Sequence, residues 1–363
     1  MSVPSTNVGL SDIQTEFGGS NPISLSEYYA GGSNVSSGAP APNGPIPSSG
    51  QIAIGQFRCA TNAAFISASG GTETTDGDYK IHTFTGPGTF TVSCAGNPAG
   101  SDTLDYFVVA GGGGGGQNNP GSYANKQYGG GGGGGFRGSS SCYPTPNPLL
   151  APVSGLTASA QAYPITVGGG GGGQTKGSDS VFSSITSTGG GGGPSSGANP
   201  GNPGGSGSGG GGQDGDDPGG SGNSPPVSPP QGNPGGTGRG SGGVSNNGGG
   251  GGGGAGGAGN SANLNALGGT GGSGSYIPNT FLGPAAPSRG EGGPVGSTRY
   301  FAGGAGGGNH TLYGPQAVRP GGVGGGGDGG PSGNPGSTNM GGGGGGANKP
   351  GGSGIVVIRY KYQ

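Results

Sequence analysis

Tryptophan is absent from this 363-residue chain and charge is scarce: 12 Lys and Arg stand against 14 Asp and Glu, for a net charge of −2. Each shortage excludes something. The basic residues are scattered singly, so no stripe exists to neutralise a phosphate backbone, and no nucleic-acid partner is expected. Apolar runs are short. FVVA and IVVI are strand-sized, far below the ~20 residues of a spanning helix, so no membrane insertion is expected. The opening MSVPSTNVGLSD lacks the charged and apolar regions of a secretory signal, so any route to the cell exterior is not expected to be simple secretion. Cys59, Cys94 and Cys142 are too few and too far apart for a disulfide framework or a zinc site. Cys59 and Cys94 would pair only if their strands are neighbours; otherwise all three are expected as small buried residues.

What the chain has instead is glycine, 109 residues of it, with 32 prolines. Together these exceed the share, roughly 25–30%, at which disorder becomes the default reading. Disordered chains stay expanded through charge, however, and only 7% of residues here are charged. A near-neutral glycine chain either collapses or orders itself.

Four zones follow from composition. Residues 1–50 form a leader, in which LSDIQTEFGG predicts a short helix with Ser11 as N-cap, Gln14 as its capping-box partner and Gly18 as the stop. Ile23, Leu25 and Tyr28 form an apolar set around a second turn or short strand, and residues 31–50 read as a linker. Residues 51–110 predict antiparallel β-structure. QIAIGQF alternates as a half-buried strand does, YKIHTF and TFTVSC flank TGPG as a hairpin, and TLDYFVVA is a strand buried on both faces. Residues 111–353 are glycine-rich, with runs of five or more glycines at 111–116, 129–135, 168–173, 189–193, 248–254 and 341–346. Their inserts vary in length, which excludes a fixed-period solenoid, and no sustained Gly-X-Y period supports collagen. GIVVIRYKYQ at 354–363 is a final strand, with Val356, Ile358, Tyr360 and Tyr362 on one face.

The strands FVVA and GIVVIRY bracket the glycine region. If they pair, the region is one excursion closed at its base. Glycine runs there can adopt an extended helix of the polyproline II type, with three residues per turn and about 3.1 Å rise, so six residues span roughly 19 Å. That helix makes no internal hydrogen bonds, so neighbouring runs must supply partners, aided by Cα–H···O contacts. A side chain inside such a lattice would push its neighbours apart. The expected fold class is therefore mostly β with a polyglycine II helix sandwich and a short leader helix. Residues 51–110, completed by 354–363, form the β domain.

The order IHTFTGPGTFTVSC, LDYFVVAGGGGGG, AYPITVGGGGGG, SVFSSITSTGGGGG and a terminal SGIVVIRY resembles the glycine-rich domain of tail fibres and adhesins of tailed bacteriophages. The leader GLSDIQTEFGGSNPISLSEYYAGG is similar to the opening of many phage tail-associated proteins. This resemblance implies packed polyglycine helices with receptor-binding loops at a tip. It also implies attachment of the leader to other virion tail or fibre proteins, and a homo-oligomer.

Chemistry is sparse. Repeated G-x-G-x-x-G matches lack any strand–turn–helix context, and no Gly-Lys-Ser/Thr phosphate loop exists. His82 and His310, the only histidines, sit near no nucleophile–acid arrangement, and His82 is read as facing solvent or a strand neighbour. Asp214, Asp216 and Asp217 in GGGGQDGDDPGG offer oxygen ligands for calcium, but one copy favours a solvated acidic turn. The isolated arginines of GRGSGG and SRGEGG make no RNA groove. The chain is therefore expected to be no enzyme and to need no cofactor. Tyr123, Tyr128, Tyr143, Tyr276, Phe281, Tyr300, Phe301 and Tyr313 lie between glycine runs among Asn, Ser and Gly, the composition of adaptable binding loops. They are candidates for binding a bacterial surface receptor, protein or glycan. The competing reading is that they pack over the lattice ends and shield its backbone. The expected role is a virion tail-fibre component, made in the host cytoplasm and presented outside it. The alternative is a self-assembling filament or matrix protein.

Overall fold

The computed structural model describes residues 2–36, 39, 41, 45–117, 128–139, 153–194, 199–213, 215–240, 247–263, 267–292, 297–309, 317–330 and 332–363. The leader has its own small core. Helix α1 (Leu10–Phe17) starts at Gly9 rather than at the expected Ser11, because Asp12 accepts the Gly9 N–H at 2.8 Å. An acid in the first turn also suits the helix dipole. Gly18 ends the helix as expected, at φ 77°, with its N–H donating to Gln14. The next segment forms a 3-10 turn, Leu25–Glu27, capped by Ser24. Ile13, Phe17, Tyr28, Val35, Ile46 and Phe57 are buried together, with Phe57 edge-on to both Phe17 and Tyr28. Val35 and Ile46 thus fold the expected linker onto the leader. The expected strand in QIAIGQF is a 3-10 turn, Ile54–Phe57, because its apolar residues find this cluster and no strand to pair with.

The β-structure runs in chain order through β1 (Ile66–Ser69), β2 (Thr72–Asp76), β3 (Tyr79–Phe84), β4 (Gly88–Ala95) and β5 (Thr103–Val109). It continues with β6 (Phe136–Gly138), β7 (Leu156–Thr157), β8 (Ala162–Thr166), β9 (Ser180–Phe182) and β10 (Ile185–Ser187). An insert adds β11 (Ser275–Pro278), α2 (Asn279–Leu282), β12 (Glu291–Gly292) and β13 (Thr298–Phe301), before β14 (Ile355–Lys361). Among these residues there are three antiparallel sheets, ordered β1-β4-β8-β9-β10, β2-β3-β14-β5-β6 with β7 beside β5, and β11-β13-β12.

The expected β3–β4 hairpin is not formed. β3 pairs with β2 and β14, whereas β4 pairs with β1 and β8 in the other sheet. The segment 66–95 is one long antiparallel ribbon whose tip turns at Gly77, and which folds over on itself halfway along. One arm bends at Gly70 and Gly71 (φ 120° and 63°), the other at the TGPG segment. Glycine is needed at Gly70 because a Cβ there would run into the backbone carbonyl of Thr89. Folding the ribbon puts its halves into facing sheets. Ile66, Phe90, Val92, Tyr163, Ile165 and Phe182 of one pack against Phe84, Leu104, Tyr106, Val108, Val356, Ile358 and Tyr360 of the other.

β14 lies between β3 and β5, with Val356 opposite both Phe84 and Val108. The strands FVVA and GIVVIRY therefore pair. Both faces of β5 and β14 are buried: the alternate residues Phe107, Val109, Ile355 and Val357 pack under Ile277, Phe281, Leu282 and Phe301 of the insert.

Beyond β5 the glycine runs carry no ladder of their own, yet their amides are bonded in a fixed rhythm. Gly111 and Gly114 donate to Ser178 and Thr175, Gly112 and Gly115 to Gly352 and Lys349, and Gly113 and Gly116 to Gly132 and Gly129. Every third residue returns to the same neighbouring segment. The rhythm repeats at 249–255, where Gly249, Gly252 and Ala255 donate to Gly308, Ala305 and Ala302. Neighbours run both ways: Gly130 and Gly133 donate to Gly250 and Gly253 in parallel, while Gly131 and Gly134 donate to Gly344 and Gly341 in antiparallel fashion. Side chains would break this packing, since a Cβ on Gly112, Gly113 or Gly115 would run into the carbonyls of Gly342, Gly191 or Gly345.

Candidate functional site

Where a glycine run ends, buried polar side chains replace the missing backbone partners. Ser180 bridges β-structure and glycine region: its hydroxyl accepts the Gly168 N–H and donates to the Val109 carbonyl, both at 2.8 Å. The fully buried Gln231 accepts the Thr188 N–H at 2.8 Å and donates to the Thr188 hydroxyl and the Pro225 carbonyl. Asn309 accepts the Gly268 N–H at 2.8 Å. Leaving such groups unpaired would cost about 1–3 kcal/mol each.

The aromatic candidates divide by position. Tyr123, Tyr143 and Tyr313 lie outside the described residues, as do His310, Cys142 and Asp214. Phe281 and Phe301 are buried in the outer core, where Phe301 meets Phe107 edge-on at 4.7 Å, so their rings present no surface. The described parts of the insert, 275–292 and 297–301, cover the six-stranded sheet, which explains the burial: large apolar rings go where they leave water. Tyr128 is also buried, and burial raises its hydroxyl pKa. Its carbonyl accepts the Gly308 N–H, so it stands at the end of a glycine run.

Tyr276 and Tyr300 are brought together. They are directly opposite in the β11–β13 ladder, half-buried, with ring centroids 5.3 Å apart and planes at 44°. Strand alternation decides this: Ile277 and Phe301 point into the core and their tyrosine neighbours point away. Glu291 of β12 lies opposite Tyr300, and its carboxylate accepts the N–H groups of Gly324 and Gly325 at 2.7 and 2.9 Å. Arg299 donates to the carbonyls of Arg289 and Gly290, both at 2.7 Å. The insert is thus pinned at its base and its turn, and the tyrosine pair rests on a held platform. Two adjacent phenol rings offer apolar faces for stacking and hydroxyls for hydrogen bonds. Sequence reasoning found both tyrosines but missed Glu291, because its partners lie more than thirty residues away.

Cys59 and Cys94 are both free, and Cys94 is exposed rather than buried, because it lies on the outward side of β4. Asp216 pairs with Arg239 at 2.8 Å, and among the described residues no group of three His, Cys, Asp or Glu is placed to hold a metal ion. Of the two readings of His82, the strand neighbour holds and solvent does not: it is fully buried, stacked on Tyr360 of the adjacent strand β14 and covered by Phe90 of β4. No helix among the described residues is long and apolar enough to cross a membrane.

A β sandwich whose last strand closes a long glycine-rich excursion defines the class of this protein. The chain belongs to the glycine-rich domain family, which matches residues 83–361. That span begins in β3 and ends in β14, two strands that pair with each other. No curated protein matches the chain.

Proposed function

We propose that the chain is a structural and adhesive component of a phage tail fibre. A polyglycine II lattice presents loops and the tyrosine platform to a bacterial surface receptor, protein or glycan. The observation that carries this reading is the three-residue rhythm of the glycine amides. A helix with three residues per turn and no internal hydrogen bonds directs successive N–H groups to three different neighbours. Such a scaffold fills its interior with backbone, leaves no central cleft for catalysis, and delivers chain to its ends, where loops carry function. The order of strands and glycine runs resembles that of tail-fibre glycine domains. In this reading the leader attaches to other virion proteins, the chain forms a homo-oligomer, and the protein acts outside the cell after synthesis in the host cytoplasm.

The test is binding of the labelled full-length chain to intact cells from a panel of bacterial strains. Strain-restricted binding is expected, weakened at least tenfold by the double substitution Tyr276→Ser/Tyr300→Ser with unfolding unchanged. The alternative, a self-assembling filament or matrix protein, draws on the exposed glycines Gly169, Gly170 and Gly172, where a second lattice could stack. Absence of binding to every strain, with light scattering that rises as filaments grow, would replace the adhesin by the matrix protein.

A further inference from the structure

His82 is fully buried at the place where the ribbon folds over. Its Nδ1 lies 2.7 Å from the carbonyl of Gly70, the hinge residue of the first arm. A carbonyl only accepts, so Nδ1 carries the proton and Nε2 offers its lone pair to the Tyr360 hydroxyl at 3.2 Å. Tyr360 belongs to the closing strand β14, and its hydroxyl is also 3.4 Å from the carbonyl of Ala68 in β1. The imidazole is stacked on the Tyr360 ring at 5.5 Å and meets Phe90 of β4 edge-on at 5.1 Å. One side chain therefore joins the hinge, the closing strand and the facing sheet.

We propose that His82 is an acid-sensitive clasp, which holds the fold-over shut while neutral and loosens it when protonated. A proton on Nε2 turns an acceptor into a donor. The Tyr360 hydroxyl can then no longer donate to the ring: it accepts from Nε2–H and must turn its own hydrogen towards the longer contact with the Ala68 carbonyl. The new charge sits among Phe90, Tyr360 and the sandwich core. The charged groups facing it are Glu73 of β2, whose carboxylate is 3.8 Å from Nε2, and Lys80 of β3, which holds that same carboxylate at 2.6 Å. Protonation pulls Glu73 from Lys80 towards the ring, across the β2–β3 ladder. Burial lowers the pKa of His82 below its usual value, outweighing the opposite pulls of the Gly70 bond and Glu73, while Lys80 adds to the lowering. The sign follows: the unfolded chain takes up the proton first as pH falls. Stability is thus complete above about pH 6.5 and is lost from there down to the folded-state pKa. Over that window the folded-to-unfolded ratio falls by about tenfold per pH unit.

The test uses the full chain, with ring-proton NMR of its two histidines assigned by the His310→Gln variant, and denaturant unfolding from pH 8 to pH 4. The expected results are a His82 midpoint below about 6.5 and lower amide protection at Ala68–Thr72, relative to the intrinsic exchange rate at each pH, as the ring titrates. The unfolding midpoint should fall with pH in the wild type and less steeply in His82→Gln. Glu73→Gln should move the His82 midpoint further down and carry the acid loss of stability down with it, a coupling that a purely structural role for the imidazole would not give. A His82 midpoint at or above 6.5, or an acid slope identical in wild type and His82→Gln, would overturn the clasp. Should His82→Gln fail to fold, the joint movement of the His82 midpoint and the acid slope in Glu73→Gln decides alone, and an acid slope that stays put while the midpoint moves would overturn the clasp.

Discussion

At Gly113 an added methyl group would run into the carbonyl of Gly191, whereas at Gly169 it would meet nothing within 4 Å. Both glycines belong to runs that look alike in sequence, so a pair of substitutions separates packing from composition. Gly113→Ala is expected to cost about 3 kcal/mol or more, the upper range for overpacking, because the atoms in its way are backbone. Gly169→Ala is expected to be neutral or to stabilise by up to about 1 kcal/mol, by restricting the unfolded chain. Denaturant midpoints of the two variants check both. The aromatic residues give the matching lesson on legibility. Composition marked Phe281 and Phe301 as surface candidates beside Tyr276 and Tyr300, yet the phenylalanines are core and the tyrosines half-exposed. Period-two alternation in SYIP and TRYF separates the two kinds, a signal too short to weigh until the strands are paired.

At the level of elements, the strands and glycine runs were legible because each is a local pattern: FVVA and IVVI are apolar runs of strand length. Partners were less legible. TGPG between two alternating segments reads the same whether the chain turns back into one sheet or crosses to another. What decides is the Gly70–Gly71 bend in the other arm, and nothing near TGPG reports it. Similarly QIAIGQF alternates as a strand but finds only the leader core. The bend makes its own prediction. Gly70→Ala combines positive φ with a collision against Thr89 and should lower the unfolding midpoint strongly, by the equivalent of about 3 kcal/mol. At the ribbon tip, Gly77 has φ 56° and open space around it. Gly77→Asn should cost a few tenths of a kcal/mol at most, since Asn tolerates the left-handed region. Equal effects at the two sites would mean that the ribbon does not fold over.

The whole molecule depends on its last strand. β14 fills the middle of the six-stranded sheet and pairs with β3, with His82 and Tyr360 of the two strands 278 residues apart in sequence. Pairings of such sequence separation slow folding. Deleting residues 355–363 removes Ile355, Val356, Val357, Ile358 and Tyr360 from two cores at once. The truncated chain should show no cooperative unfolding transition, whereas loss of the leader's first eight residues should leave the sandwich transition in place. The same dependence explains why the mostly β, glycine-rich character of the chain was readable and the function was not. Strands, glycine runs and their closure are properties of a scaffold, whereas the inserts between the runs differ in length and composition and carry no pattern that names a partner.

The mutual hydrogen bonding of the glycine runs has a calorimetric consequence. Hydrocarbon exposed on unfolding raises the heat capacity, and exposed peptide groups lower it. In most domains the hydrocarbon term wins and gives about 12–15 cal/mol/K per residue. Here the amides of 111–116, 129–135 and 249–255 are sheltered by one another with few side chains between them. Their release should offset much of the contribution of the β sandwich, and scanning calorimetry is expected to give less than about 10 cal/mol/K per residue. A small heat-capacity change flattens the stability curve, so the protein should resist cold as well as heat over an unusually broad range of temperature.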